Sequence, residues 1–105
     1  MVGIREEALS TGIGNGVALP HARIDGLREP LVVVGISETG IDFNSPDDRP
    51  ANVLFLILTP SNHPGVQLEI ASEIARLFKH PRMSDNVLRT RSFTDFLALI
   101  RAGIE

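Results

Sequence analysis

The stretch "ANVLFLILTPSNHPGVQLEIASEIARLF", Ala51 to Phe78, changes its hydrophobic period half-way along, and that change decides the fold. As far as Thr59 it is a nearly continuous run of large or β-branched apolar residues, the pattern of a strand covered on both sides. Pro60, Pro64 and Gly65 then interrupt it. From Val66 onward, apolar residues recur every fourth position at Val66, Ile70, Ile74 and Phe78, with Ala71, Ala75 and Leu77 beside them. That spacing predicts a helix over about 66–79 with one broad apolar face.

Outward from this unit the same signals repeat. "EPLVVVGIS" (29–37) is a second strand, and "TGIDFNSPDDRP" (39–50) joins the two by turns punctuated by Gly40, Pro46 and the Asp47–Asp48 pair. Downstream, Ser84 is placed to cap a short helix through Val87 and Leu88. "SFTDFLALIRAGI" (92–104) carries a Ser-x-x-Asp capping signal at Ser92 and Asp95, with Gly103 as a stop. Upstream, "VALPH" (17–21) is extended, because Pro20 fixes its own φ and pushes Leu19 toward β. "IREEALS" (4–10) is the end of a helix or a polar entry segment. Strands first and helices after them suggest an α/β arrangement, a sheet with helices on one or both faces.

Composition narrows the function. The chain has 105 residues, 43% of them hydrophobic, which suits one domain over 1–105. Ten Lys+Arg against 13 Asp+Glu leave a formal charge of -3, and the only aromatics are five Phe, so neither a basic footprint nor a stacking platform for nucleic acid is present. The longest apolar runs are far shorter than the roughly 20 residues that span a bilayer, and no apolar signal segment follows Met1. No direct membrane insertion is therefore expected. The absence of cysteine removes disulfides and thiolate metal sites and fits a reducing, cytoplasmic setting.

The chemistry is concentrated in "STGIGNGVALPHARI" (10–24). Three alternating glycines invite a dinucleotide fingerprint, but the third comes too early and Pro20 blocks the helix that such a motif must open. No Gly-Lys-Ser/Thr follows, which excludes a P-loop. Gly12, Gly14 and Gly16 still let backbone N–H groups approach an anion. His21 has two readings. It is a turn residue bonded to a neighbouring carbonyl, or a nucleophile whose imidazole is partly neutral near pH 7 and offers a lone pair to phosphorus. His21, His63 and His80 match no common metal-ligand spacing.

"STGIGNGVALPHAR" resembles the active-site segment of the fructose/mannitol-type enzyme IIA domains of the phosphoenolpyruvate:sugar phosphotransferase system, including their nitrogen-regulatory branch. The likeness continues through "GIDF", "VLFLILTP" and "VQLEIASEIARLF". It implies a mixed β-sheet covered by helices, and a phosphocarrier that takes a phosphoryl group on His21 from a histidine phosphocarrier protein and passes it to an enzyme IIB domain, without metal or organic cofactor. Arg5 falls on the family's arginine, whose planar fork of donors suits a phosphoryl group. Arg23, two residues past His21, is a second candidate on the same side of a strand. Val17, Leu19 and Ile24 are candidates to line an apolar partner surface.

Two departures qualify the likeness. The family's second histidine, at the start of the helix after the second strand, aligns with Gln67, which can orient a ring or a phosphate oxygen but cannot carry positive charge. His63 is read as a loop or helix-entry residue and His80 as surface. Family members also carry further, largely helical residues ahead of the position of Arg5. The chain is thus expected to be a short form, a piece of a longer chain or the C-terminal module of a fusion, with an uncovered sheet and self-association as consequences. These departures favour an alternative function, a regulatory interaction module controlling or appended to a membrane transporter.

Overall fold

The computed structural model describes residues 4–6 and 12–104. Its centre is β6 (Ala51–Pro60), whose residues alternate between buried and half-buried as far as Thr59. Ala51, Val53, Phe55, Ile57 and Thr59 face the helices; Leu54, Leu56 and Leu58 face the other way and stay half-exposed. The expectation of a strand covered on both sides therefore fails for the described residues. A run of leucines on the half-exposed face makes an alternating strand look continuous.

Six strands form one mixed sheet: β1 (Ile4–Glu6), β2 (Gly12–Gly14), β3 (Val17–Ala18), β4 (His21–Ile24), β5 (Leu31–Ile41) and β6. β3 and β4 run parallel to β6 along one of its edges, with Val17 opposite Val53 and Ala18 opposite Leu54, then His21 opposite Ile57 through to Ile24 opposite Pro60. The register does not slip between them, so Val17–Ile24 is one extended run. Pro20 breaks its N–H ladder but not its course, since the Pro20 carbonyl still accepts from the Ile57 N–H at 2.8 Å. β5 lies antiparallel on the other edge of β6. β1 flanks β4, which corrects the reading of 4–10 as a helix end: Ile4–Glu6 is a strand.

After the sheet come α1 (Pro64–Leu77), α2 (Met83–Leu88) and α3 (Phe93–Ile104). α1 starts four residues beyond β6 and runs back over it, so that the Phe78 ring at its far end meets Phe55 edge-on at 5.5 Å. Val17, Leu19, Val53, Phe55 and Ile57 from the sheet close a core with Ile74, Phe78, Met83, Val87 and Phe96 from the helical side. Ser92 caps α3 as expected, its Oγ accepting from the Asp95 N–H at 3.1 Å. Ser84 does not cap α2. It lies inside the helix, fully buried, and its hydroxyl donates to the Asn15 carbonyl at 2.7 Å, a tertiary contact that outweighs its local preference. No helix among the described residues is long and apolar enough to cross a membrane.

Candidate functional site

The unbroken register of Val17–Ile24 against β6 sets which way each side chain faces. Residues paired across parallel strands point to the same side, and sides alternate along a strand. Val17, Leu19, His21 and Arg23 therefore share the helix-covered face with Val53, Phe55, Ile57 and Thr59. Val17 and Leu19, 0% and 6% exposed, are core residues. This corrects their assignment to a partner surface: both belong to the core that the sheet shares with the helices. His21 is next in the same row, where the core gives way to solvent, and it is half-buried.

The His21 ring is fixed from below. Its Nδ1 lies 3.3 Å from the Leu19 carbonyl oxygen two residues back. A carbonyl only accepts, so the proton sits on Nδ1 and the lone pair on Nε2. The two readings of His21 thus merge, because the bond to a neighbouring carbonyl is what leaves the second nitrogen nucleophilic.

Arg23 follows on the same face, half-buried with its Nε enclosed. The register of β1 on β4 sets Arg5 opposite Arg23. Two guanidinium-bearing positions thus lie side by side on neighbouring strands, one step beyond His21; the side chain of Arg5 is outside what is described. Thr59, the cross-strand neighbour of Arg23 in β6, is fully buried, and its Oγ1 has no hydrogen-bond partner among the described residues. Sequence reasoning passed over Thr59 because it reads as one more β-branched strand residue; the signal was a hydroxyl at the end of an otherwise aliphatic run.

α1 packs against β6, and its first turn follows four residues after the end of that strand. Gln67 lies in that turn, on the stripe that continues through Ala71 to buried Ile74 and Phe78, and it is half-buried. The helix start has no side-chain cap and no acidic residue in its first turn. Pro64 has no N–H and the Val66 N–H donates to the His63 carbonyl, so what the helix start offers an anion is chiefly the positive end of its dipole. His63 is the exposed N-cap residue, as expected of a helix entry. His80 is an exposed surface residue whose Nδ1 accepts from the Arg82 N–H at 3.2 Å.

The glycines are placed elsewhere. β2 and β3 form a hairpin whose turn is Asn15–Gly16, with φ values of 56° and 79°. This is the Asn-Gly signature of a tight hairpin turn with positive φ at both central residues. Gly12 is opposite Ala18 and Gly14 opposite Val17, while the Gly16 carbonyl accepts from Asn52 and Val53. At about 3.3 Å per residue these levels lie roughly 10–16 Å along the sheet from that of His21. A Cβ on Gly16 would come within 2.6 Å of Ser84 Oγ, and one on Gly12 within 2.2 Å of Ser45 Oγ. The Asn15 N–H is bonded by Asp47 Oδ2 at 2.9 Å, and a carboxylate there repels a phosphate. The described geometry gives these glycines a packing role rather than a phosphate cradle at His21.

The exposed apolar residue nearest the start of α1 is Leu68, 66% exposed, one position past Gln67. Ile24, half-exposed, closes β4, and alternation along the strand turns it to the face opposite His21, which corrects its assignment to an apolar surface around that ring. The face therefore presents His21 with the positions of Arg23 and Arg5 beside it.

Known proteins share this arrangement of chain. Residues 2–103 match the family model described as phosphoenolpyruvate-dependent sugar phosphotransferase system, EIIA 2. A fructose-specific EIIA component of Haloferax volcanii is 38% identical over 88 residues, which are 84% of this chain and 57% of that protein. A fructose-specific EIIABC component of Bacillus subtilis is 33% identical over 88 residues, 84% of this chain and 14% of that protein. Among solved structures, the nitrogen regulatory protein IIA-Ntr of Neisseria meningitidis superposes with a TM-score of 0.78 at 30% identity, covering 87% of this chain and 62% of that one. The chain thus spans little more than half the length of the stand-alone relative from Haloferax. With its sheet, its helices and nearly its whole length matched, the chain belongs to the type 2 EIIA family of the phosphoenolpyruvate-dependent sugar phosphotransferase system.

Proposed function

We propose that the chain is a cytoplasmic phosphocarrier in which His21 Nε2 takes a phosphoryl group from a histidine phosphocarrier protein and yields it to an enzyme IIB domain. The observation that carries this is the Nδ1 contact to the Leu19 carbonyl, which leaves Nε2 as the ring's lone-pair nitrogen on a stiff strand.

In the first half-reaction the Nε2 lone pair attacks phosphorus in line. An N–P bond forms, the donor's N–P bond breaks, and the electron pair returns to the donor imidazole. The reverse displacement on an IIB acceptor restores His21. Neither half needs a metal or an organic cofactor, because the phosphoryl group travels on side chains of the two proteins. Arg23 and the position of Arg5 supply positive charge for its oxygens, and the positive end of the α1 dipole adds to it. Gln67 donates or accepts a neutral hydrogen bond there. Leu68, exposed one position past Gln67, offers an apolar contact to a docking partner. The fused B and C components in the name of the Bacillus relative support an IIB acceptor.

A second reading, a regulatory module that binds a transporter or another target without transferring phosphate, is favoured by Gln67 in place of a cationic partner and by the nitrogen-regulatory relative. The two separate on incubation with a histidine phosphocarrier bearing radiolabelled phosphate. Transfer of label to the chain, and none to His21→Ala, is the result expected of the phosphocarrier; a folded chain that takes no label from a working donor leaves the regulatory module.

A further inference from the structure

The core row of β6 runs through Val53, Phe55 and Ile57 and ends on a polar residue, Thr59, on the same face. Thr59 is fully buried, and its Oγ1 has no hydrogen-bond partner among the described residues. A hydroxyl taken out of water without a partner costs free energy, and valine, of the same shape, avoids that cost. Ser84 shows how this fold treats a buried hydroxyl that serves packing: it donates to the Asn15 carbonyl and accepts from Arg49. Ser45 Oγ also lacks a partner among the described residues, but it lies against Gly12, at the level of the glycine hairpin. Thr59 lies beside a cation of the candidate site.

That cation is Arg23, the register partner of Thr59 across the parallel pair of β4 and β6. Both side chains rise from the helix-covered face, on strands about 4.8 Å apart. The same register places Thr59 one step of two residues beyond Ile57, the partner of His21, roughly 8 Å from His21 on the diagonal. With no surface open to solvent, the hydroxyl does not touch a phosphoryl group that a docked donor brings to the ring. Its influence runs through the side chain beside it. A guanidinium has five N–H donors and no acceptor, so Arg23 can give one of them to Thr59 and still present others.

We propose that Thr59 is a positioning residue for phosphoryl transfer: its Oγ1 accepts a hydrogen bond from the Arg23 guanidinium as the phosphoryl group reaches His21, and so holds that charge toward the phosphoryl oxygens. The role rests on the phosphocarrier reading of His21. It needs a turn of the arginine side chain and no movement of either strand, because the two residues are already in register on one face. A bond completed only when the phosphoryl group arrives lowers the barrier to its transfer rather than stabilising the fold.

Rapid-quench measurement of label passing from a radiolabelled histidine phosphocarrier to the whole chain, at rising donor concentration, tests this with Thr59→Val and Thr59→Ser. Valine keeps the shape and loses the oxygen. It should slow transfer at saturating donor about tenfold, the effect of losing one hydrogen bond to a charged group, with the half-saturating concentration unchanged. Its urea midpoint should equal or exceed the parent's, because the fold loses no bond. Serine, which keeps the hydroxyl, should restore transfer to within about twofold of the parent. In an Arg23→Gln background, itself slowed, Thr59→Val should add no further loss. Transfer by the valine variant equal to the parent's overturns the proposal, as does a urea midpoint clearly below the parent's, which makes the hydroxyl part of the fold. A further tenfold loss in the Arg23→Gln background also overturns it, by giving the hydroxyl another partner. A parent chain that takes no label from a working donor removes the phosphocarrier reading itself, and this role with it.

Discussion

Gly16→Ala separates a glycine that packs from a glycine that holds phosphate. Gly16 has φ of 79°, where an L side chain costs about 1–2 kcal/mol. The new methyl group would lie 2.6 Å from Ser84 Oγ and 3.2 Å from the Arg49 guanidinium. Ser84 is fully buried, donates to the Asn15 carbonyl at 2.7 Å and accepts from Arg49 Nη2 at 3.0 Å. Moving it aside loses both bonds, each worth about 1 kcal/mol. The sum is about 3–4 kcal/mol, a large part of the 5–15 kcal/mol typical of a domain, and it lowers Tm by more than about 10 °C. Urea titration of Gly16→Ala, Ser84→Ala and the double variant measures it. Because Ser84→Ala removes the hydroxyl that the methyl meets, the double variant should lose at least about 1 kcal/mol less than the two single losses added. Phosphoryl transfer to the folded variant, measured well below its Tm, should stay within about twofold of the parent, since the turn lies well along the sheet from His21. A loss under about 1 kcal/mol, strict additivity, or transfer slowed tenfold with the fold intact would refute the packing role.

Phe78→Ala should cost about 3–5 kcal/mol, because the ring is 1% exposed and joins α1 to Phe55; chemical denaturation reads it. Asp47 is held below its ordinary 3.8 chiefly by the Asn15 N–H, then by the Arg49 N–H. Its contribution to stability is therefore complete above the unfolded carboxylate's pKa and fades as pH falls below 3.8 through the depressed folded value, so urea midpoints should drop there and Asp47→Asn should lessen the drop. Gln67→His should speed phosphoryl transfer more at pH 6 than at pH 8, because only the protonated ring adds a charge-assisted bond, worth about 1.5–3 kcal/mol; rates equal to the parent at both pH values would remove Gln67 from the site.

The strand–helix unit of Ala51–Phe78 was legible because its two periods are local properties, and the Ser92 cap was legible for the same reason. Ile4–Glu6 was not, since three residues next to a charged pair carry no period and only pairing with β4 makes them a strand. Val17 and Leu19 were named correctly as apolar and extended but put on the wrong side, because facing depends on register with β6, some 36 residues away. Asn15–Gly16 is a hairpin signal in plain view, yet the spacing of three glycines drew attention to anions instead. His21 and Gln67 were found through the family's pattern. Thr59 needed the sheet, because nothing in "LILTP" distinguishes a hydroxyl across from Arg23 from one facing solvent.

The most direct test of the site is the point of attachment of phosphorus on His21. Nitrogen-15-labelled chain, phosphorylated by phosphoenolpyruvate, enzyme I and the histidine phosphocarrier, gives ring-nitrogen NMR signals that distinguish the two positions. Phosphorus on Nε2, with Nδ1 still protonated and donating to Leu19, is the predicted result. Phosphorus on Nδ1, or on any residue other than His21, contradicts it.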